Sequence, residues 1–446
     1  MPDFGKALKH LKTVRDPHAA FGHPIPGGEG ALPDPSRFGR GWREAPVEGL
    51  AIADQLQFLR VRWQKQAMKS TVEVSEPLPS GQIESTPFGS HYVVQTMYPH
   101  DYVHGKIRLS RFSGADLESL ISLMREKAAV PPRERIVFLD TETTGLQGGS
   151  GMCPFLVGIG YFAGDEFHLL QYFVRDFDEE PSMLYTLGEL LGRFDLVVTY
   201  NGTAFDVPLL ETRFTLARLD SPFHGMSHLD LLFTTRRLWR NGHGSCRLAA
   251  LEREMISFLR GADIPGSMIP RVYFDYIQHR PNVALTSVFR HNVYDVVSLA
   301  ALTIHACDRV TREPAPLDDP LDLYSLGRIL EYSREWRRSI QLYEMALASG
   351  LAEPVRKRTL ENLSIVFRRA GDHERSLEIC AQLMAYPEFS MTGYEGAAIY
   401  YEHGRGDLEN AQRVLKEALG RAESQRARTV LKARWDRLQQ KVIRYE

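Results

Sequence analysis

The chain has 446 residues, a formal net charge of −2 and four cysteines. This length exceeds one ordinary domain, so two to four units are expected, and the near-neutral charge confines any nucleic-acid binding to local basic patches. Scattered Cys153, Cys246, Cys307 and Cys380 exclude a disulfide framework, and no apolar run of membrane-spanning length or signal-peptide core occurs, so a cytoplasmic protein with no membrane contact is expected.

Residues 1–50 read as a loose leader. Lys6, Lys9, Lys12 and Arg15 precede a Pro/Gly-rich run from Pro24 to Pro35. Residues 51–132 read as a small β-rich satellite, with strand-like runs at Thr71–Val74 and His91–Gln95 and one helix over 114–128. His100 and His104 have no further ligand type nearby, and Pro99 breaks any helix that would align them.

Residues 133–312 form the expected central domain. Its first strand, Ile136-Val137-Phe138-Leu139, delivers Asp140 and Glu142, which share one side of the strand because residues i and i+2 do. Two acids on one side of a buried strand repel and lose hydration unless a hard cation sits between them. The alternative is a strand end carrying solvated acids. After Gly148-Gly149-Ser150-Gly151 comes the strand-like Phe155–Phe162, not a helix, so the glycines link a hairpin and do not cradle phosphate. A further strand over 166–174 completes a three-stranded meander.

A helix over 181–191 and a strand at Leu196–Tyr200 follow. Asn201 and Gly202 end that strand, and a helix starts near Asp206, where its dipole favours a carboxylate. Asp230 either caps the next helix or serves as an outer partner of the acids. Arg236, Arg237, Trp239 and Arg240 combine basic groups with an aromatic, which suits a nucleic-acid backbone and a stacked base, or else a solvated helical face. On the last helix, His291 and Asp295 are four residues apart and share a face.

Asp140, Glu142, Asp206 and Asp295 converge in this reading at the edge of a mixed sheet. Four carboxylates at one point require cations, and two Mg²⁺ or Mn²⁺ ions would form the clamp used for phosphodiester hydrolysis. His291 is then placed to accept the proton of the attacking water.

Asp140-x-Glu142, Asn201-x-x-x-Phe205-Asp206 and His291-x-x-x-Asp295 resemble the three exonuclease motifs of DEDD-type 3′–5′ exonucleases in the ribonuclease H-like superfamily. The run Asp140–Gly145, the glycine-rich link and Phe155–Gly158 more closely resemble the bacterial YprB-like exonuclease group. The resemblance covers roughly residues 90–310. It implies an α/β ribonuclease H-like fold with a mixed five-stranded sheet, four metal-binding acids and release of nucleotides from a 3′ end. Thr143 and Asn201, within these motifs, become candidate nucleic-acid contacts. The family carries either His five residues before the last Asp or Tyr four before it; here His291 stands at the tyrosine spacing, and Tyr294 reads as packing.

A proline-bearing linker, Pro314 to Pro320, leads to residues 320–446. Leu326-Gly327, Ser339 and Tyr343 set a pattern that returns at Leu363-Ser364, Ser376 and Cys380, and again at Ala397-Ala398, Ala411 and Leu415, with Ala346 and Ala418 as further small positions. This matches a tetratricopeptide-type solenoid, with one extra residue before Gly406-Asp407 and a basic closing helix. Such an array offers a groove for a protein segment, or buttresses the nuclease domain. The expected function is a metal-dependent 3′–5′ exonuclease on DNA or RNA. An inactive nucleic-acid-binding scaffold and a structure-specific endonuclease are the alternatives.

Overall fold

The computed structural model describes residues 78–122, 130–145, 151–280, 284–314 and 318–445. The expected leader, the run at Thr71–Val74, the second half of the 114–128 helix and most of the glycine-rich link lie outside them. The chain divides into two compact units, Met1–Phe233 with Arg247–Arg309, and Thr234–Cys246 with Val310–Glu446.

The first unit is built on strands β1 (Gln82–Thr86), β2 (Gly89–Tyr98), β5 (Ile136–Thr143), β6 (Pro154–Ala163), β7 (Glu166–Phe173), β8 (Leu196–Thr199) and β9 (Ser227–Asp230), with β3 (Val103–His104) and β4 (Ile107–Arg108) as a separate short pair. They lie in the order β1-β2-β7-β6-β5-β8-β9. β5, β6 and β7 form the antiparallel meander, and β8 and β9 run parallel to β5. Its helices are α1 (Leu117–Ile121), α2 (Glu180–Leu191), α3 (Asp206–Ala217), α4 (Leu231–Trp239), α5 (Leu248–Met255), α6 (Ile269–Ile277) and α7 (Leu285–Thr311), of which α4 and α7 run on into the second unit.

Both faces of the sheet are covered, which is why its central strands are continuously apolar and do not alternate. Val137, Leu139, Val157 and Ile159 pack against Met183, Leu184 and Leu187 of α2 and Leu210 and Phe214 of α3. On the opposite face, Phe155, Leu156 and Phe173 meet Tyr273 of α6 and Val288 and Phe289 of α7. Residues 82–98 correct the expectation of a satellite. β2 pairs with β7 from Tyr92 to Tyr98. An unpaired β7 edge would leave a row of backbone donors and acceptors, and the β1–β2 hairpin satisfies them, extending the five expected strands to seven.

The second unit is helical. Its pairs are α8 (Pro320–Tyr332) with α9 (Trp336–Ala348), α10 (Val355–Arg369) with α11 (His373–Met384), and α12 (Met391–Ile399) with α13 (Leu408–Arg421), closed by α14 (Gln425–Tyr445). The small residues sit where helices of a pair cross. Ser339 Oγ donates to the Gly327 carbonyl and Ser376 Oγ to the Ser364 carbonyl, each at 2.8 Å, while Ala411 is fully buried without a hydroxyl. The left-handed turn residues Arg334 and Gly371 follow Gly327 and Ser364 by seven positions each, but Gly406 follows Ala398 by eight. A π-helical turn at Tyr400–Arg405 absorbs that extra residue. Residues Thr234–Cys246, expected inside the 133–312 domain, belong to this unit, where Asn241 Nδ2 donates to Ser325 Oγ at 2.9 Å.

Candidate metal centre

β5 carries the first two acids out of the core. Asp140 and Glu142 face α7, whereas Thr141 between them points to the other side, where its hydroxyl donates to Asp206 at 2.5 Å. Asp206 is the first residue of α3, in the positive field of the helix start. The turn before it is shaped by Asp230, which accepts backbone N–H groups from Asn201 at 2.7 Å, Thr203 at 3.1 Å and Leu232 at 3.0 Å. Asp230 thus caps α4 and also holds the β8–α3 turn, where Asn201 adopts a left-handed φ of 66°.

α7 supplies the fourth acid together with the means of orienting the first. In the sheet, Asp140 lies beside Gly158, and Gly158 beside Gln171. Asn292 of α7 lies across this row. Its Nδ2 donates to Asp140 Oδ2 at 2.9 Å, and its Oδ1 accepts from Gln171 Nε2 at 2.9 Å. A Cβ on Gly158 would come within 2.3 Å of Asn292 Oδ1, so position 158 must lack a side chain for the amide to reach the acid. One turn on, ligand-type atoms of Glu142, His291 and Asp295 all lie within 4.8 Å of one another.

The electrostatics follow from this crowding. Burial, then the charges of Asp295 and Asp206, push the Asp140 carboxyl well above the usual range. Burial and the three other acids do the same to Glu142. Asp206 is pushed up to about 6 by burial, against the opposing hydrogen bond from Thr141. Glu142 Oε1 is buried with no hydrogen-bond partner. An orphaned carboxylate oxygen amid like charges fits a cation, and an oxygen-rich set with one imidazole suits Mg²⁺ or Mn²⁺.

His291 stands between two acids, with Nδ1 at 2.9 Å from Asp263 and Nε2 at 3.3 Å from Asp295. Burial lowers its affinity for a proton, but the hydrogen bond to Asp263 and both acidic charges outweigh that and raise it. Sequence reasoning missed Asp263 and the two residues next to it in space, Arg260 and Glu252. They come from α5 and the loop after it; the apolar period of Leu248, Leu251 and Met255 marks a short helix, but nothing in the spacing of Glu252, Arg260 and Asp263 connects them to the acids. Tyr294 packs edge-on to Phe258, as its register implied.

The candidate nucleic-acid contacts are placed less uniformly. The Thr143 hydroxyl donates to the Gly145 carbonyl at 2.7 Å and closes the end of β5. Arg236, Arg237 and Arg240 are exposed on the second unit. Trp239 is corrected: it is 1% exposed, on the inward face of α4, and offers no ring face to a base.

Residues 137–307 match the model of a family described as the RNase_H superfamily, and residues 323–355 match a tetratricopeptide repeat model. The chain is 28% identical over 338 residues to the uncharacterized protein YprB of Bacillus subtilis (strain 168), covering 73% of this chain and 79% of that protein. The family B DNA polymerase from the hyperthermophilic archaeon Pyrobaculum calidifontis aligns with 55% of this chain at 13% identity and a TM-score of 0.31; the aligned part is 30% of the polymerase. Among the described residues no helix is long and apolar enough to cross a membrane. The mixed sheet with flanking helices is RNase H-like, and an all-helical repeat region follows it in the chain.

Proposed function

We propose that the chain is a metal-dependent 3′–5′ exonuclease that hydrolyses phosphodiester bonds of DNA or RNA, with the repeat region binding a protein partner. The observation that carries this reading is the meeting of Asp140, Glu142, Asp206 and Asp295 from a strand and two helices, with Glu142 Oε1 left unpartnered. Asp140, Glu142, Asp206 and Asp295 would hold two divalent ions. Such ions lower the cost of deprotonating water and of the charge that builds on the attacking and leaving oxygens.

The protein's own groups prepare that step. Asn292 and Thr141 donate to Asp140 and Asp206, so both acids are aimed before substrate arrives. His291 accepts the proton of the attacking water, and Asp263 fixes its ring by binding Nδ1. The Asp230-held turn presents Phe205, 51% exposed, immediately ahead of Asp206. Arg236, Arg237 and Arg240 supply phosphate contacts, and Thr143 and Asn201 lie within the motifs beside the acids.

The test uses single strands labelled at the 5′ or the 3′ end, incubated with the full chain and Mn²⁺. A 5′-labelled strand that shortens stepwise, while a 3′ label is released as mononucleotide, is the expected result. No cleavage, or cleavage unchanged in Asp206→Ala, would overturn the reading. Internal cuts that do not depend on a free 3′ end would replace it with an endonuclease.

A further inference from the structure

The guanidinium of Arg260 lies inside the acid centre, where a metal-ion site would ordinarily exclude a fixed cation. It makes two hydrogen bonds to Glu252, at 2.5 and 2.6 Å, and Glu252 is fully buried. A third bond, at 3.1 Å, reaches Asp263, and a fourth goes to Asp295 Oδ1. The Arg260 side chain is itself only 10% exposed and packs over the Tyr294 ring. Glu252 is held in turn by Ser298 of α7, whose hydroxyl meets the buried His104 at 2.8 Å. The guanidinium is therefore anchored from behind and is not a surface arginine that has folded inward.

We propose that Arg260 is a resident counter-ion of the acid centre, a positioning residue that claims one oxygen of Asp295 and weakens binding of the divalent ion that Asp295 would share. This rests on the metal-centre reading above. Asp295 has two oxygens: Oδ1 is taken by Arg260, and Oδ2 faces His291 Nε2 at 3.3 Å. On the far side of the centre, Asp140 and Asp206 are held by neutral donors, which orient a carboxylate without cancelling its charge. The two halves of the site are thus unlike. On one side no cation offsets the acids, and on the other the charge is already partly neutralised by a cation that cannot leave without stranding buried Glu252.

The experiment measures Mn²⁺ binding alone, by titration of the full chain stripped with chelator, with free Mn²⁺ followed by electron paramagnetic resonance. The double variant Glu252→Gln/Arg260→Met removes the cation without leaving a buried carboxylate unpaired. The two charges leave together and net charge is unchanged, but only the positive one touches Asp295, so freeing Oδ1 from the guanidinium should tighten the weaker Mn²⁺ by about tenfold. A residue that served only to shape the pocket would give the opposite result, because losing the shape loosens the ion. Arg260→Lys retains the charge without the fork and should leave the affinity within about threefold of the parent. Unchanged or weaker binding in the double variant overturns the proposal, as does tenfold tightening in Arg260→Lys. Absence of Mn²⁺ binding by the parent chain would overturn the metal-centre reading itself, and the proposal with it.

Discussion

The acid centre and the helical repeats bury polar groups in opposite ways. In the repeats, a hydroxyl on one helix meets a carbonyl on its partner, and the same bond returns from Ser339 to Gly327 and from Ser376 to Ser364. In the first unit, like charges converge and one carboxylate oxygen has no partner. A repeated, satisfied bond is architecture. An unsatisfied cluster costs stability, and it persists where a ligand offsets the cost.

The sharpest test of that contrast is neutralisation of an acid. Asp140→Asn should reduce cleavage at 3′ ends by at least about a hundredfold, since several kcal/mol of charge stabilisation depend on the ions. Circular dichroism and thermal midpoint should show the fold intact. A variant that unfolds instead would make Asp140 architectural, like the serines.

Gly158→Ala attacks the packing that holds Asp140. The added methyl meets Asn292 within 2.3 Å of its ideal position. Denaturant unfolding should show a loss of about 1–3 kcal/mol, typical of overpacking, accompanied by lower activity. Removing the repeat bond in Ser376→Ala should cost about 1 kcal/mol and leave activity unchanged.

Glu142→Gln should do the reverse and stabilise the chain when a chelator is present. The Glu142 carboxyl has a raised proton affinity in the folded state, so the native form binds more protons than the unfolded form above the ordinary glutamate value. Stability associated with this acid is complete below that ordinary value and is lost as pH rises. The variant should therefore melt about 2–4 °C higher than the parent at pH 7.5. The difference should shrink toward pH 4, and Mn²⁺ should reverse it by stabilising only the parent. An equal shift at all pH values would show that charge is not the cause.

The smallest effect is expected from Arg236→Ala/Arg237→Ala/Arg240→Ala. If these residues touch phosphates, the slope of log affinity against log salt should fall by about 0.9 per lost contact on duplex DNA, with little change at saturating substrate.

The meander and the repeats were legible because each rests on local periodicity; Asp140 and Glu142 stand near a strand end and Asp206 at a helix start, whereas Asp295 lies inside α7 and was singled out by its spacing from His291. What remained hidden depends on partners distant in the chain. The β1–β2 hairpin joins the sheet through backbone pairing with β7, which leaves no mark on side-chain pattern. Trp239 looked available beside three arginines, yet the face of α4 that turns inward is decided by packing. Glu252, Arg260 and Asp263 reach the centre from a segment whose own sequence is unremarkable as helix and loop.

The overlap of Gly158 and Asn292 also bears on how this chain can change. A side chain at 158 is tolerated only if residue 292 shrinks, and a smaller residue there can no longer reach Asp140. The two positions, 134 apart in the chain, therefore constrain one another. In a mutational library, a large side chain at 158 should be recovered as a folded protein only with a smaller residue at 292, and such a pair should still lack the activity that depends on Asp140.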